Sequence, residues 1–129
     1  MEMKLSEYFE KTTGRGVIAT GDSAGQINVA VYSRPHFINE ETVAFIMADH
    51  LTHKNLESNP HAAYIFMESG GKYVGKRLYL TKTKEEKNSE LIDKMRRRDC
   101  PVDEAYREKT RYLVYFHIDK ILPLIGDKE

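Results

Sequence analysis

The sequence predicts a mainly β (α+β) domain, with about six antiparallel strands and two or three short helices. Three observations favour this class. Short apolar or alternating runs recur along the chain, turn-forming residues separate them, and their spacing is typical of a small barrel or sandwich. A chain of 129 residues also has the size of a single domain, so we expect residues 1–129 to share one core.

The first part of the chain predicts a helix followed by a β-hairpin. Residues 5–11 form one or two amphipathic helical turns. Residues 16–20 and 26–33 are predicted strands, joined by the turn "GDSAG" at residues 21–25. Arg34-Pro35 ends the hairpin, because proline cannot donate a ladder hydrogen bond. In the second strand, Ile27, Val29 and Val31 should face one way, and Asn28, Ala30 and Tyr32 the other.

Later segments predict the other strands and two further helices. A short helix begins at Thr52 and stops at Asn59-Pro60, since the residue before proline avoids helical conformation. Thr83 and Glu86 form a capping box, which predicts a helix running to about Arg98. The remaining predicted strands are Thr42–Ala48, which is apolar enough to be buried on both faces, His61–Glu68, Tyr73–Lys82 and Arg111–Asp119.

The segment "ADHLTHKNLESNP", residues 48–60, raises two hypotheses. His50 and His53 could be half of a metal site, but paired zinc-binding histidines on a helix are usually four residues apart. A helix starting at Thr52 would also leave His50 outside it. The spacing therefore predicts no metal site for the histidine pair.

The second hypothesis is anion binding at the start of this helix. Thr52 is a good N-cap residue, and the amides of residues 53–55 would be free at a helix end that favours negative charge. Lys54 opposes the helix dipole in the first turn, yet it would suit a bound phosphate. The segment therefore predicts a phosphate site, while a solvated surface lysine is the simpler alternative.

Several classes of function are disfavoured by composition and by missing motifs. Acidic and basic residues balance, so no overall field attracts nucleic acid. The chain contains neither a Walker-type phosphate loop nor GxGxxG, which argues against a nucleoside triphosphate or NAD as the carrier of the phosphate. No apolar run suits a membrane span or a signal peptide, and Cys100 is the single cysteine. We therefore expect a cytoplasmic protein without a disulfide or a membrane.

The order of these motifs resembles the pyridoxamine 5′-phosphate oxidase-like family of FMN-binding split β-barrels. The resemblance is carried by "GVIAT-GDSAG-QINVAVYS" and by "VAFIMADHLTHKNLESNPHAAYIF". In that family a strand, a Ser/Thr-x-Lys stretch, a short helix and Asn-Pro lead into the next strand. The match covers roughly residues 14–82, and the rest of the chain only by the order of its elements.

The resemblance implies a cofactor, FMN, and a set of residues around it. Residues of the second strand would run along the flavin, the end of the third strand would contact the ribityl chain and ring edge, and the following helix would hold the phosphate. It also implies a homodimer with FMN at the interface, to which Arg77 and Tyr79 would contribute from the partner. In the same order, the implied cofactor-binding residues are Asn28, Val29, Ala30, Val31, Tyr32 and Ser33, then Met47, Ala48 and Asp49, then Thr52, His53 and Lys54.

Two departures from the family pattern shape the expected function. His53 stands where family oxidases tend to have Arg, so Arg34 or a partner residue would have to supply the missing charge. The chain also lacks Trp and any Arg after Arg111, so the substrate segment of the true oxidases is missing. We therefore expect a flavin-dependent oxidoreductase or electron carrier whose redox step the flavin performs, with a small-molecule electron donor or acceptor such as NAD(P)H. No catalytic side chain is nominated.

Two alternatives remain at this stage. A related split barrel could bind deazaflavin or haem, with His36, His61 or His117 as a haem ligand. A non-catalytic binding or regulatory module could instead use the basic segment Lys94–Arg98 together with nearby lysines. A charged helix face exposed to water explains that segment more simply, so nucleic acid is a disfavoured partner.

Overall fold

The computed structural model describes residues 3–88, 90–95 and 110–126. Seven strands and three helices lie in these ranges. In chain order they are α1 (Leu5–Lys11), β1 (Gly14–Gly21), β2 (Ile27–Tyr32), β3 (His36–Asn39), β4 (Thr42–Ala48), α2 (Leu51–Ser58), β5 (His61–Glu68), β6 (Gly75–Lys87), α3 (Glu90–Met95) and β7 (Arg111–Pro123).

The strands form one antiparallel sheet in the order β2-β1-β5-β6-β7-β4-β3. The sheet curls around the core but is not closed, so β2 and β3 are its two edges. The predicted mainly β, antiparallel class is therefore confirmed, with one strand more than expected. None of the described helices is long and apolar enough to cross a membrane.

The main core lies inside the curled sheet and is rich in aromatic rings. Phe9 of α1 is 1% exposed and packs edge-on against Phe66, with 5.1 Å between ring centroids. Phe45 packs in turn against Tyr64 and Phe116. The amphipathic helix α1 therefore closes one end of the barrel, as its apolar side predicted.

Strand β4 is buried on both faces, as its continuous apolar run predicted. Phe45 and Met47 point into the main core, whereas Ala44 belongs to a second cluster on the opposite face. Ile92 of α3 and Leu113 of β7 complete that second cluster. β4 lies between β3 and β7, and the main core on one face and the second cluster on the other remove both faces from water.

The predicted capping box at Thr83 and Glu86 is wrong, because both residues lie within β6. The Thr83 hydroxyl donates to the Tyr115 carbonyl at 3.4 Å, and Glu86 accepts from the Tyr115 hydroxyl at 3.0 Å. β7 extends to Pro123 and offers β6 a long ladder, which outweighs the local helix signal. The helix instead begins at Glu90, and its predicted end near Arg98 falls outside the described residues, as does Cys100.

The short strand β3 was not predicted. It begins one residue after Pro35 and pairs only with β4, through His36 opposite Ala44 and Phe37 opposite Val43. Four residues carry too little periodicity to be detected in the sequence, and the pairing partner decides their conformation.

Candidate functional site

Two residues separate β4 from helix α2, whose first amides have no helical acceptor. His50 is the N-cap, in extended conformation, and its carbonyl accepts the first helical bond from the Lys54 amide at 3.0 Å. The prediction of Thr52 as N-cap is therefore wrong. The amides without a helical acceptor belong to residues 51–53 rather than 53–55. The free donors still lie at the helix start, two residues earlier than expected.

Thr52 joins α2 to β2 instead of capping the helix. Its hydroxyl accepts a hydrogen bond from the Asn28 side-chain amide at 3.2 Å, and Thr52 is only 3% exposed. One turn later, the Asn55 amide donates to the buried Thr20 hydroxyl of β1, also at 3.2 Å. These two bonds fix the start of α2 against the first hairpin, so that two predicted site residues 24 positions apart are in contact.

Strand β2 divides its predicted site residues between two faces. Asn28, Ala30 and Tyr32 are half-buried on the inner side, as the alternation predicted. Val29 and Val31 point outward and are 65% and 81% exposed. On the inner side Asn28 contacts α2, and Ala30 and Tyr32 pack against the main core, while the outer set forms a separate apolar surface.

The end of β2 is held in place by Tyr64. Its hydroxyl donates to the carbonyls of Tyr32 and Ser33, at 3.3 and 3.0 Å. Gly16 on β1 makes this possible, because a Cβ there would lie 1.8 Å from the Tyr64 hydroxyl oxygen. The bond from Tyr64 therefore fixes the backbone of Ser33, an exposed residue just after the end of β2.

The side chains at the end of β4 belong mainly to the core. Met47 is fully buried and Ala48 is 6% exposed, and their backbones pair with Tyr112 and Arg111 of β7. Side-chain contact with a ligand is therefore restricted at these two positions. Asp49, the next residue, is exposed and marks the point where the chain leaves the sheet.

The His53 side chain points away from Thr52 and into a group of carboxylates. The histidine is 2% exposed, and its Nδ1 lies 3.0 Å from Asp49 Oδ1 and 3.6 Å from Glu57 Oε1. Its Nε2 lies 3.0 and 3.1 Å from the two carboxylate oxygens of Glu85. The ring also stacks on Tyr112, with 3.8 Å between centroids and 16° between planes. The backbone amide of His53 remains at the helix start, but its ring faces the opposite side of α2.

The charges around this histidine shift two neighbouring pKa values. Burial opposes ionisation of Glu85, but hydrogen bonds from Lys82 at 2.7 Å and from His53 outweigh it and lower the pKa of that carboxyl. Desolvation raises the pKa of the Tyr112 hydroxyl, and the negative charges of Asp49, Glu85 and Glu57 raise it further. Acidic groups thus dominate the field on this side of α2.

The basic residues considered for the site have different surroundings. Lys54 is exposed beside the free amides of α2. The Arg34 guanidinium donates to the carbonyls of Phe9 and Thr12, at 2.9 and 3.0 Å, and so caps the end of α1. Arg77 donates to the Pro123 carbonyl at 2.9 Å and also to that of Gly126. Of these three side chains, Lys54 is placed to meet an anion at α2.

Two clusters of titratable side chains were not predicted from the sequence. Asp49, His53 and Glu57 recur every four residues, and this spacing is visible in the sequence. On the outer face of β5, β6 and β7, a second row runs across the sheet. There Thr81 bonds His61 at 3.4 Å, Thr81 also bonds Asp119, and His117 bonds Asp119 at 2.9 Å. Only strand register brings this row together.

An open cavity of about 440 Å³ lies elsewhere, between α1, β3 and α3. Phe9, Phe37 and Met95 supply its apolar wall, and Glu7 and Glu10 its acidic rim. None of the predicted site residues lines it. Its acidic rim makes it unsuited to a phosphate.

Comparison with known proteins was made at the levels of sequence and structure. No protein-family model and no curated protein matches the sequence. The structure matches an FMN-binding protein from Syntrophomonas wolfei subsp. wolfei with a TM-score of 0.77 at 20% identity, over 97% of this chain and 86% of that one.

Other solved structures share the same architecture. An F420 reductase matches with a TM-score of 0.68 at 14% identity, over 93% of this chain and 98% of that one. A pyridoxamine 5′-phosphate oxidase-like protein from Lactobacillus delbrueckii matches with a TM-score of 0.67 at 12% identity, over 95% and 93%. Further matches include a haem storage protein from Vibrio cholerae, with a TM-score of 0.61. At these identities the likeness establishes the fold, and it confirms the expected resemblance: the chain has the split-barrel fold of the pyridoxamine 5′-phosphate oxidase-like proteins.

Proposed function

We propose that this chain binds FMN beside β2 and the start of α2, and that it works as a flavin-dependent oxidoreductase or electron carrier. The observation that carries the proposal is the start of α2, where three amides without a helical acceptor directly precede the exposed residue Lys54. Amides at a helix start, together with a lysine, form a suitable cradle for a phosphate monoester. The FMN-binding neighbour with the same fold supports this choice of ligand.

The predicted phosphate residues would contribute in different ways. Thr52 and His53 would act through their backbone amides, because the Thr52 hydroxyl is bonded to Asn28 and the His53 ring is bonded to carboxylates. Lys54 would supply the full positive charge.

The inner face of β2 would position the rest of the cofactor. Asn28 stands next to the helix start, and Tyr32 lies further along the same face, with its ring edge-on to Phe45 at 6.0 Å. The rigid attachment of Ser33 through Tyr64 fixes where β2 ends. When bound, FMN supplies the redox chemistry, and the protein provides orientation and access for a small-molecule donor or acceptor such as NAD(P)H. A chain with one cysteine cannot form an internal disulfide, which suits a reducing compartment, so we expect the protein to act in the cytoplasm.

A flavin-binding assay tests the proposed phosphate contact directly. Losing one charge-assisted hydrogen bond costs about 1.5–3 kcal/mol, so Lys54→Ala should raise the Kd for FMN about 10- to 100-fold. Lys72→Ala, at an exposed turn between β5 and β6, is the matched control and should leave the Kd unchanged. Fluorescence quenching of FMN measures both. An equal Kd in all three proteins would remove Lys54 from the site, and failure of the wild type to bind FMN would remove the proposed function.

We also propose that two copies associate through the outer face of β2, β1 and β5. Strand register forms apolar rows across this face, with Val31 beside Val17 and Val17 beside Ile65. Ile27 and Val29 extend it along β2 and are 71% and 65% exposed. A continuous apolar surface of this kind is typical of an interface, and such a surface can pair with its own copy about a twofold axis.

Sedimentation of charged variants tests the dimer. Val31→Glu should shift the protein toward monomer, because a carboxylate would be buried without a partner. Ile38→Glu is the matched control, since Ile38 is an exposed apolar residue on the opposite edge strand, β3. A wild-type protein that sediments as a monomer at micromolar concentration would contradict the proposed dimer.

The alternatives make different spectroscopic predictions. A deazaflavin would replace the flavin absorption bands with its own, and haem would give a Soret band that disappears when its histidine ligand is replaced. The F420 reductase and the haem storage protein with this fold are the reason to record the spectrum first.

The alternative of a non-catalytic module that binds through basic residues has less support. Two of its lysines have other contacts, because Lys82 pairs with Glu85 and Lys84 lies over the Tyr115 ring. Residues 96–98 of the basic segment fall outside the described residues.

A further inference from the structure

One face of α2 carries three potential metal ligands. Asp49, His53 and Glu57 are four residues apart in sequence, so their side chains stack along one side of the helix and the turn before it. One donor atom from each lies within 4.8 Å of the others.

Both ring nitrogens of His53 face carboxylate oxygens. Nε2 lies 3.0 and 3.1 Å from the two oxygens of Glu85, and Nδ1 lies 3.0 Å from an oxygen of Asp49. Ionised carboxylates are acceptors only, so an imidazole that directs its N–H to Glu85 would present the lone pair of Nδ1 to a cation beside Asp49.

The local charge suits a divalent cation. Asp49, Glu57 and Glu85 contribute three negative charges around His53, and Lys82 returns one positive charge through its contact with Glu85. A divalent ion would neutralise the two charges that remain.

We propose that Asp49, His53 and Glu57 bind a divalent transition-metal ion of the Zn²⁺ class. Ligands of a tetrahedral zinc ion at about 2.0–2.2 Å lie about 3.3–3.6 Å from one another. The observed separations of 3.0 and 3.6 Å from Nδ1 need only small rotations of two exposed carboxylates. One imidazole nitrogen and two carboxylates are suitable ligands for this class of ion.

The surroundings of His53 also match a metal-binding histidine. Such a histidine commonly donates its other ring N–H to a carboxylate, and Glu85 accepts that bond here. Stacking on Tyr112 fixes the orientation of the ring. Glu57 is not among the residues proposed to bind FMN, so the metal site and the flavin site can be tested separately.

Metal titration of EDTA-treated protein tests this site. Isothermal titration with ZnCl₂ should show one site per chain, and Glu57→Gln or Asp49→Asn should weaken it at least about tenfold. Both side chains are exposed, so neither substitution should unfold the protein. CoCl₂ binding, followed by its visible absorption, should show the same losses.

A control separates this site from the surface histidines. His61→Ala combined with His117→Ala removes the other cluster that could take zinc, and should leave the α2 site unchanged. Glu57→Gln should also leave FMN binding unchanged. A failure of the proposed metal site can therefore be distinguished from a failure of the proposed flavin site. Absence of zinc binding, equal binding in the Glu57 variant, or loss of binding only in the double-histidine variant would each overturn the proposed site.

Discussion

Glu85→Gln should destabilise the fold by about 1.5–3 kcal/mol at pH 7. The Glu85 side chain is 28% exposed and accepts hydrogen bonds from Lys82 at 2.7 Å and from His53 at 3.0 Å. Hydrogen bonds to charged groups contribute about 1.5–3 kcal/mol each, and the amide keeps the shape and one acceptor oxygen. We therefore expect the loss to be near the worth of one such bond rather than the sum of two.

The effect should depend on pH in a defined direction. The folded protein holds the pKa of Glu85 below its ordinary value of 4.5, because the bonds from Lys82 and His53 outweigh the effect of burial. A group with a lowered pKa stabilises the fold above its unfolded pKa, and this contribution is lost as the pH falls through the folded value. The gap between wild type and variant should therefore be full at pH 7 and should shrink below about pH 4.

Urea unfolding in EDTA measures this gap without a contribution from metal ions. The free energies of unfolding of wild type and Glu85→Gln are compared at pH 7 and at pH 3.5. Glu41→Gln, an exposed carboxylate before β4, is the matched control and should stay within about 0.5 kcal/mol of wild type. A Glu85 variant within that same margin at pH 7, or a gap that does not change with pH, would refute the reasoning.

Two further substitutions test the contacts that position α2 and β2. Gly16→Ala places a methyl group 1.8 Å from the Tyr64 hydroxyl oxygen, so it should cost about 1–3 kcal/mol of stability by overpacking, measured by urea unfolding. A variant as stable as wild type would contradict the tight approach of these two residues. Asn55→Ala removes the bond to Thr20 and leaves a buried hydroxyl without its donor, so it should cost about 1–3 kcal/mol, measured by thermal unfolding. An unchanged melting temperature would show that this bond does not hold the helix.

Much of the fold could be predicted because its signals are local. The alternation in residues 26–33 set the inner and outer faces of β2, and the continuous apolar run of residues 42–48 marked a strand buried on both sides. Proline also marked the end of α2 at Ser58. In these cases the side chains that decide the structure lie within one short segment.

The errors arose where a distant partner decided the outcome. Thr83 and Glu86 have the spacing of a helix cap, but pairing with β7 keeps them in a strand. The N-cap of α2 is His50 rather than the predicted Thr52, and the helix begins at Leu51. The Thr52 hydroxyl instead accepts a hydrogen bond from Asn28 of β2. Local propensity is a weak preference, and a long ladder or a buried hydrogen bond outweighs it.

The sequence alone determined the chemical types available at α2: amides at a helix start, one lysine, and acids four residues on either side of His53. It also determined the antiparallel β class, because binary patterning acts through neighbours along the chain. Only the tertiary structure decided which way each group faces. Sheet register places Glu85 and Tyr112 against the His53 ring, whereas Lys54, the next residue, is exposed. Contacts between segments more than thirty residues apart cannot be inferred from local spacing.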